Sequence, residues 1–184
     1  MGEYYLISQL PSLDGISETS SIPISEESFL DLCHRFLGKK AIKLLDNLSL
    51  VPPVEFEKSA SQLINAWNEG ERNLRFALAK ARADKMNKPF EAKQKDFPPE
   101  LIKAVNVAIE IENPLEAEKF LLQYRLNFLE MQRPMDNFSE EYIFYYALKL
   151  KLLLRIRGFD AVLGEAEYKN IYNSIVNGDK LEAK

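Results

Sequence analysis

The sequence predicts an all-α protein, a multi-helix bundle with a short extended N-terminal arm. Apolar residues recur at intervals of three and four over most of residues 25–178, which is the period of an amphipathic helix. Three candidate helices begin at Ser or Asn, several stop near Gly or Pro, and no proline falls inside one. Only 7 glycines occur in 184 residues, which argues against an all-β chain with many tight turns.

A chain of 184 residues suits one domain, and 46% hydrophobic with 28% charged residues is an ordinary globular balance. We therefore expect a single helical domain over residues 1–184. Its expected parts are an extended arm and loop (1–24), N-terminal helices (25–88), a linker (89–99) and a C-terminal helical bundle (100–178).

The first 24 residues show no helical period. Tyr4-Tyr5-Leu6-Ile7 is typical of a short extended segment, either a strand or a docked arm. Asp14-Gly15 and the serine-rich run that follows predict a loop.

Helices are predicted from Ser25 onward, where an N-cap serine precedes two glutamates. A short helix over Lys39–Leu48 follows and breaks before Pro52-Pro53. A long helix is predicted over Glu57–Met86, with its apolar stripe interrupted at Gly70, which indicates a kink or a close packing contact. The lysine-bearing linker after Pro89 is predicted to be a mobile loop.

The C-terminal half has clearer helix boundaries. Pro98-Pro99 opens one helix, and Asn113 caps the next, with Pro114 at its first position and Glu116 placed for a capping box. Ser139 caps a helix that ends at Gly158 and is apolar over much of its circumference, so we expect it at the centre of the bundle. A last helix is predicted over Asp160–Val176.

Composition excludes several classes of function. A net charge of −4 predicts neither nucleic-acid binding nor membrane adhesion. The most apolar stretch has an uninterrupted run of only Tyr142–Leu148, far short of the ~20 residues that span a bilayer, so no direct membrane insertion is expected. Cys33 is the single cysteine, which rules out an internal disulfide, and a cytoplasmic location is expected.

The charges are unevenly distributed along the chain. Met1–Asp31 holds 6 acidic side chains and no Lys or Arg, whereas Gly70–Asp96 holds 8 basic and 4 acidic ones. We expect the acidic beginning and the basic middle to pair inside the fold, although they could face two different partners.

No catalytic, cofactor-binding or metal-binding set is recognisable, so we predict that the protein is not an enzyme. His34 and Cys33 are adjacent, and neighbouring helical residues point about 100° apart, which does not suit a catalytic dyad. Glutamates cluster near residues 110–118 without a histidine at the spacing of a di-iron site. Phosphate-cradling and nucleophile-elbow motifs are also missing from the sequence.

Two groups of residues suggest binding. An arginine row beside a tryptophan is predicted to form a partner interface, because both residue types are enriched in hot spots; its members are Trp67, Arg72, Arg75 and Arg82. The alternative is a solvated face whose arginines pair locally with Glu71 and Asp84. The second group is basic and lies on the apolar central helix, where internal pairing with acidic partners is expected; it comprises Lys149, Lys151, Arg155 and Arg157.

The chain resembles the small all-helical proteins encoded in bacterial V-type ATPase gene clusters. The resemblance rests on Tyr4-Tyr5-Leu6-Ile7-Ser8-Gln9-Leu10-Pro11, the block from Trp67 to Ala83 around Glu71-Arg72-Asn73-Leu74-Arg75, Asn113-Pro114-Leu115-Glu116, Leu148-Lys149-Leu150-Lys151 and Arg157-Gly158-Phe159-Asp160. Such proteins are similar to the all-helical V-type ATPase component, known as the d subunit in eukaryotes, which joins the central stalk to the rotor ring. That component is much longer and built from repeats, which this sequence lacks.

The resemblance implies a non-catalytic structural or coupling subunit of a rotary ATPase that acts in ion transport, without a cofactor, by contacting other V-type ATPase subunits. Its location would be cytoplasmic, or peripheral on the inner membrane through the ATPase complex. The alternatives are an unrelated helical adaptor or scaffold and an enzyme or small-molecule carrier with a pocket between helices.

Overall fold

The all-α prediction is confirmed in a computed structural model, which describes residues 2–16, 20–55, 58–90, 96–159, 164–165, 168–173 and 175. Throughout these residues the regular secondary structure is helical. The helices are α1 (Gly2–Gln9), α2 (Glu26–Phe36), α3 (Lys39–Asp46), α4 (Gln62–Lys85), α5 (Pro99–Glu110), α6 (Pro114–Met131) and α7 (Glu140–Arg157). None of the helices in the described part is long and apolar enough to cross a membrane.

Most helices begin where the capping residues predict. The Ser25 hydroxyl accepts the Ser28 amide at 3.1 Å, and the Asn113 side-chain oxygen accepts the Leu115 amide at 3.0 Å. The Ser139 hydroxyl accepts the Tyr142 amide at 3.3 Å. These bonds satisfy backbone N–H groups that have no partner within the helix, so local sequence sets these boundaries.

The long helix α4 begins later than the sequence predicts, at Gln62. The Ser61 hydroxyl caps it by accepting the Ile64 amide at 3.1 Å. Glu141, from the first turn of α7, accepts both the Ser61 hydroxyl and the Leu63 amide at 2.9 Å. A carboxylate from a distant part of the chain thus completes the cap, which no local pattern could reveal.

The predicted extended arm is wrong, because α1 is helical. Leu6 is fully buried in the core, and α1 packs on α2. The contact is close: a Cβ built at Gly2 would lie 2.2 Å from the carbonyl oxygen of Phe36. Packing of the apolar side of α1 therefore overrides the β propensity of its β-branched and aromatic residues.

The central position predicted for the helix after Ser139 is confirmed. Ten of the 18 residues of α7 are buried, and α7 packs against α3, α4 and α6. Around it lies the main core, which includes Leu6, Phe29, Cys33 and Trp67. A second apolar cluster joins α5 to the C-terminal half of α4 and to α6; it contains Leu74, Ala77, Leu78, Leu101, Val105, Ala108 and Leu121.

Gly70 is a close packing contact between α4 and α6. The helix continues through it, and a Cβ at this position would lie 2.4 Å from Cζ of Phe128. The interruption in the apolar stripe therefore marks the place where the ring of Phe128 crosses α4, and not the break of a helix.

Replacing Gly70 by Ala is expected to lower the free energy of unfolding by about 1 kcal/mol, measured by urea denaturation. Overpacking against Phe128 costs about 1–3 kcal/mol, and the better helix propensity of Ala returns about 1 kcal/mol. In a Phe128→Leu background the same change is expected to be neutral or stabilising. Gly38→Ala, where a Cβ meets nothing within 4 Å, is the control. Equal effects in both backgrounds would contradict the contact.

Two predictions extend beyond the described residues. The mobile linker includes residues 91–95, with Lys93 and Lys95, which lie outside them. Of the predicted last helix, residues 164–165, 168–173 and 175 are described, and all are helical.

Candidate functional site

Trp67 lies in the main core and is 1% exposed. Its ring centroid is 6.4 Å from that of Phe128, and the indole sits on the inward stripe of α4 together with Leu74. The prediction that Trp67 belongs to a partner interface is therefore wrong for the folded protein. The indole lies on the apolar stripe of α4 and therefore points into the core. The arginines lie on other faces of the same helix and are half-buried or exposed.

The three arginines of the predicted row do not act as one group. Arg72 donates from Nη2 to the carbonyl oxygens of Pro53 at 2.5 Å and Glu55 at 3.4 Å, which ties the segment before α4 to the helix. Arg75 donates from Nε to Glu71 at 2.9 Å, which confirms the local pairing considered as an alternative. Arg82 is exposed.

Glu71 is the centre of a charged network that the sequence reasoning missed. Its side chain is 2% exposed and accepts hydrogen bonds from two arginines. Arg125 of α6 binds it in a two-pronged geometry, from Nε at 2.9 Å and from Nη2 at 3.0 Å. The available signal was position: Glu71 lies four residues after Trp67 and three before Leu74, on the apolar stripe, where an acid needs a basic partner.

The network continues from α6 to α7. Glu118 accepts a hydrogen bond from Nη2 of Arg155 at 3.0 Å, and its Oε1 lies 3.8 Å from Nη1 of Arg125. We refer to these side chains as the glutamate–arginine network: Glu71, Arg75, Glu118, Arg125 and Arg155. It connects α4, α6 and α7 and holds three cations and two anions, a net charge of +1.

Three of the four basic residues of α7 pair with acids, as predicted, whereas Arg157 donates from Nη1 to the carbonyl oxygen of Ser20 at 3.4 Å. Lys149 is 7% exposed, and its Nζ lies 2.6 Å from Asp14, 2.7 Å from Glu130 and 3.2 Å from the hydroxyl of Tyr145. Burial opposes its charged form, but the hydrogen bonds to Asp14, Glu130 and Tyr145 outweigh this effect and raise the pKa of Lys149. Lys151 pairs with Glu26.

These pairs correct the expected match between the acidic beginning and the basic middle of the chain. The acids Asp14 and Glu26 find their partners on α7 and at Arg133, which lies 3.6 Å from Asp14. Ion pairs therefore hold the first segment of the chain against α7, and the burial of Leu6 in the main core adds to this attachment.

Asp14→Asn is expected to reduce the free energy of unfolding at pH 7 by less than about 1 kcal/mol, because Asp14 is more than half exposed. The hydrogen bond from Lys149 lowers the pKa of Asp14. Its contribution is therefore present above the unfolded pKa, near 3.9, and is lost as the pH falls through the folded pKa. Denaturation at several pH values should show the two proteins converging in acid. Asp31→Asn, an exposed acid of α2, should show no such convergence.

An aromatic patch is exposed at the beginning of the chain. It consists of Tyr4, Tyr5 and Phe138, which are 56%, 59% and 50% exposed. The rings of Tyr4 and Phe138 stack with centroids 4.9 Å apart, and those of Tyr4 and Tyr5 lie 6.0 Å apart. The helical conformation of α1 directs Leu6 inward and the two tyrosines outward, and this arrangement creates the exposed aromatic patch.

A second apolar surface lies near the end of the chain. We define the C-terminal stripe as Tyr168, Ile171, Tyr172 and Ile175. All four side chains are more than half exposed, and their spacing places them on one face of a helix. The rings of Tyr168 and Tyr172 have centroids 6.2 Å apart. The stripe is an amphipathic helical face of the kind that docks into a partner's groove.

Groups that could support chemistry are few in the described part of the chain. It contains no cluster of three or more potential metal ligands. His34 lies at the surface with Nε2 3.1 Å from Asp46, and burial raises the pKa of the Cys33 thiol to about 12, which keeps it protonated and unreactive.

No protein-family model, no curated protein and no solved structure matches this chain. The class of the protein is therefore defined by its own fold: an all-α chain with a main apolar core, a second apolar cluster and aromatic side chains at its surface.

Proposed function

We propose that the protein is a non-catalytic structural or coupling subunit associated with a V-type ATPase, which contributes to ion transport through contacts with other subunits. The observation that carries this proposal is the aromatic patch. Three aromatic rings, each at least half exposed and joined through the contacts of Tyr4 with the other two, are a costly surface for an isolated protein and a favourable one for a protein interface.

The patch is also held in place. Leu6 anchors α1 in the core, and the carboxylate of Asp136 accepts the backbone amide of Phe138 at 2.9 Å, which orders the turn before α7. A surface that is already rigid loses little conformational entropy when a partner binds. The C-terminal stripe offers a second, separate contact, which suits a component that couples two partners.

Association with a rotary ATPase is supported by the resemblance. Its first motif, Tyr4-Tyr5-Leu6-Ile7, supplies both the buried anchor and two of the three exposed rings. The segment on which the resemblance rests is therefore also the segment that forms most of the aromatic patch. This supports a role of the motif in contact with a partner. Peripheral location on the inner membrane would follow from binding to the complex.

The test is recovery of ATPase subunits from native membranes by the tagged, purified protein. We expect the wild type to retain several subunits and to lack hydrolase activity, and the Tyr4→Ser/Tyr5→Ser variant to lose them. Ile102→Ser, which alters a comparably exposed apolar residue on α5, is the matched control and should retain them.

Each other outcome has a definite meaning. Recovery of no ATPase subunit by the wild type would refute the proposal. Recovery of a different set of proteins, lost in the tyrosine variant, would favour an unrelated helical adaptor. Equal recovery by the wild type and the tyrosine variant would exclude the aromatic patch as the contact surface.

A further inference from the structure

A small cavity lies within the glutamate–arginine network, between α4, α6, α7 and the segment before α4. Its volume is about 20 Å³. One water-sized species needs roughly 10–15 Å³, so the cavity has room for a single small species. Its lining includes the apolar side chains of Leu122 and Leu152 and the charged ones of Glu71, Arg75, Arg125 and Arg155.

One lining side chain has an unsatisfied donor. Nη1 of Arg125 is buried and has no hydrogen-bond partner among the described residues, and the carboxylate oxygen of Glu118 is 3.8 Å away, too far for a hydrogen bond. Glu71 is already occupied by three N–H donors, from Arg75 and from Nε and Nη2 of Arg125. A buried charged donor without an acceptor is costly, which calls for an additional acceptor in the cavity.

The charge of the lining determines the kind of acceptor. Three guanidinium groups and one carboxylate face the cavity, so its lining carries a net charge of +2, and the whole network, with Glu118, carries +1. A water molecule would satisfy Nη1 but leave this charge uncompensated. An anion of one charge satisfies the donor and neutralises the network at the same time.

We infer that this cavity is a binding site for one monovalent inorganic anion of the size of chloride or bromide. The anion accepts a hydrogen bond from Arg125 and is attracted by Arg75 and Arg155. Because those two arginines are half-exposed, water screens them and weakens the attraction. The site joins three helices, so occupancy stabilises the folded protein. The inference is independent of any association with an ATPase.

The first test is thermal unfolding of the purified protein in sodium chloride, with sodium gluconate keeping the ionic strength constant. At a tenfold excess of chloride over its dissociation constant, the wild-type Tm should rise by about 3–5 °C. In Arg75→Gln and Arg155→Gln the rise should fall below about 1 °C. These residues are used because both are half-exposed and their loss leaves the Glu71–Arg125 pair intact.

Arg82→Gln is the matched control, since Arg82 is also an exposed arginine of α4 but does not line the cavity. It should respond to chloride like the wild type. An equal response in Arg75→Gln and Arg82→Gln would overturn the inference, because the effect would then be general to salt.

The second test is the crystal structure of the protein grown with sodium bromide. The expected result is an anomalous bromide peak within about 3.5 Å of Nη1 of Arg125. A water molecule at that position, with no anomalous signal, would overturn the anion assignment.

Discussion

Replacement of Glu71 by Gln is expected to lower the free energy of unfolding by about 3–5 kcal/mol. The reason is the charge left behind. Glu71 is 3% exposed and binds Arg125 through both carboxylate oxygens, so its neutralisation leaves a largely buried guanidinium with only Glu118, 3.8 Å away, as a counter-ion. Urea denaturation followed by circular dichroism measures the change.

Two further variants test this explanation. Glu69→Gln, at an exposed position of the same helix, should alter stability by no more than about 0.5 kcal/mol. The double variant Glu71→Gln/Arg125→Met removes both buried charges and should be more stable than Glu71→Gln alone, because Arg75, the other partner of Glu71, is half-exposed to water. A double variant that is less stable than the single one would show that the loss arises from packing and not from charge.

Trp67→Ala is expected to lower the free energy of unfolding by about 3–5 kcal/mol, because it empties a large volume in the main core. The indole is 1% exposed and packs against Phe128, so no partner can touch it in the folded protein. Circular dichroism is the appropriate probe, since Trp67 is the only tryptophan and its fluorescence is lost with it.

Phe76→Ala is the matched control, an exposed aromatic residue on the same helix, and should have a much smaller effect. If Trp67→Ala were as stable as the wild type and instead lost its binding partners, the interface predicted from the sequence would be correct and the burial of the indole would be wrong.

For the charged and aromatic sites, the sequence predicts the type of interaction but not the residues that meet. The pairing of the α7 cations with acids was predictable, because charges on a helix apolar over most of its surface need partners. Which acids they meet was not predictable: Asp14 and Lys149 are far apart in the chain and meet only when the first segment folds onto α7. The aromatic patch required the helical state of α1, which packing on α2 decides.

The sequence by itself determined the features that depend on neighbouring residues. These are the helical period, the N-caps at Ser25, Asn113 and Ser139, and the central position of α7. Tertiary structure alone decided that Glu71 binds Arg125 and that Gly70 meets Phe128. The physical reason is the distance along the sequence over which each feature is decided. A cap is completed within one turn of helix, whereas burial depends on helices that only the folded chain brings together.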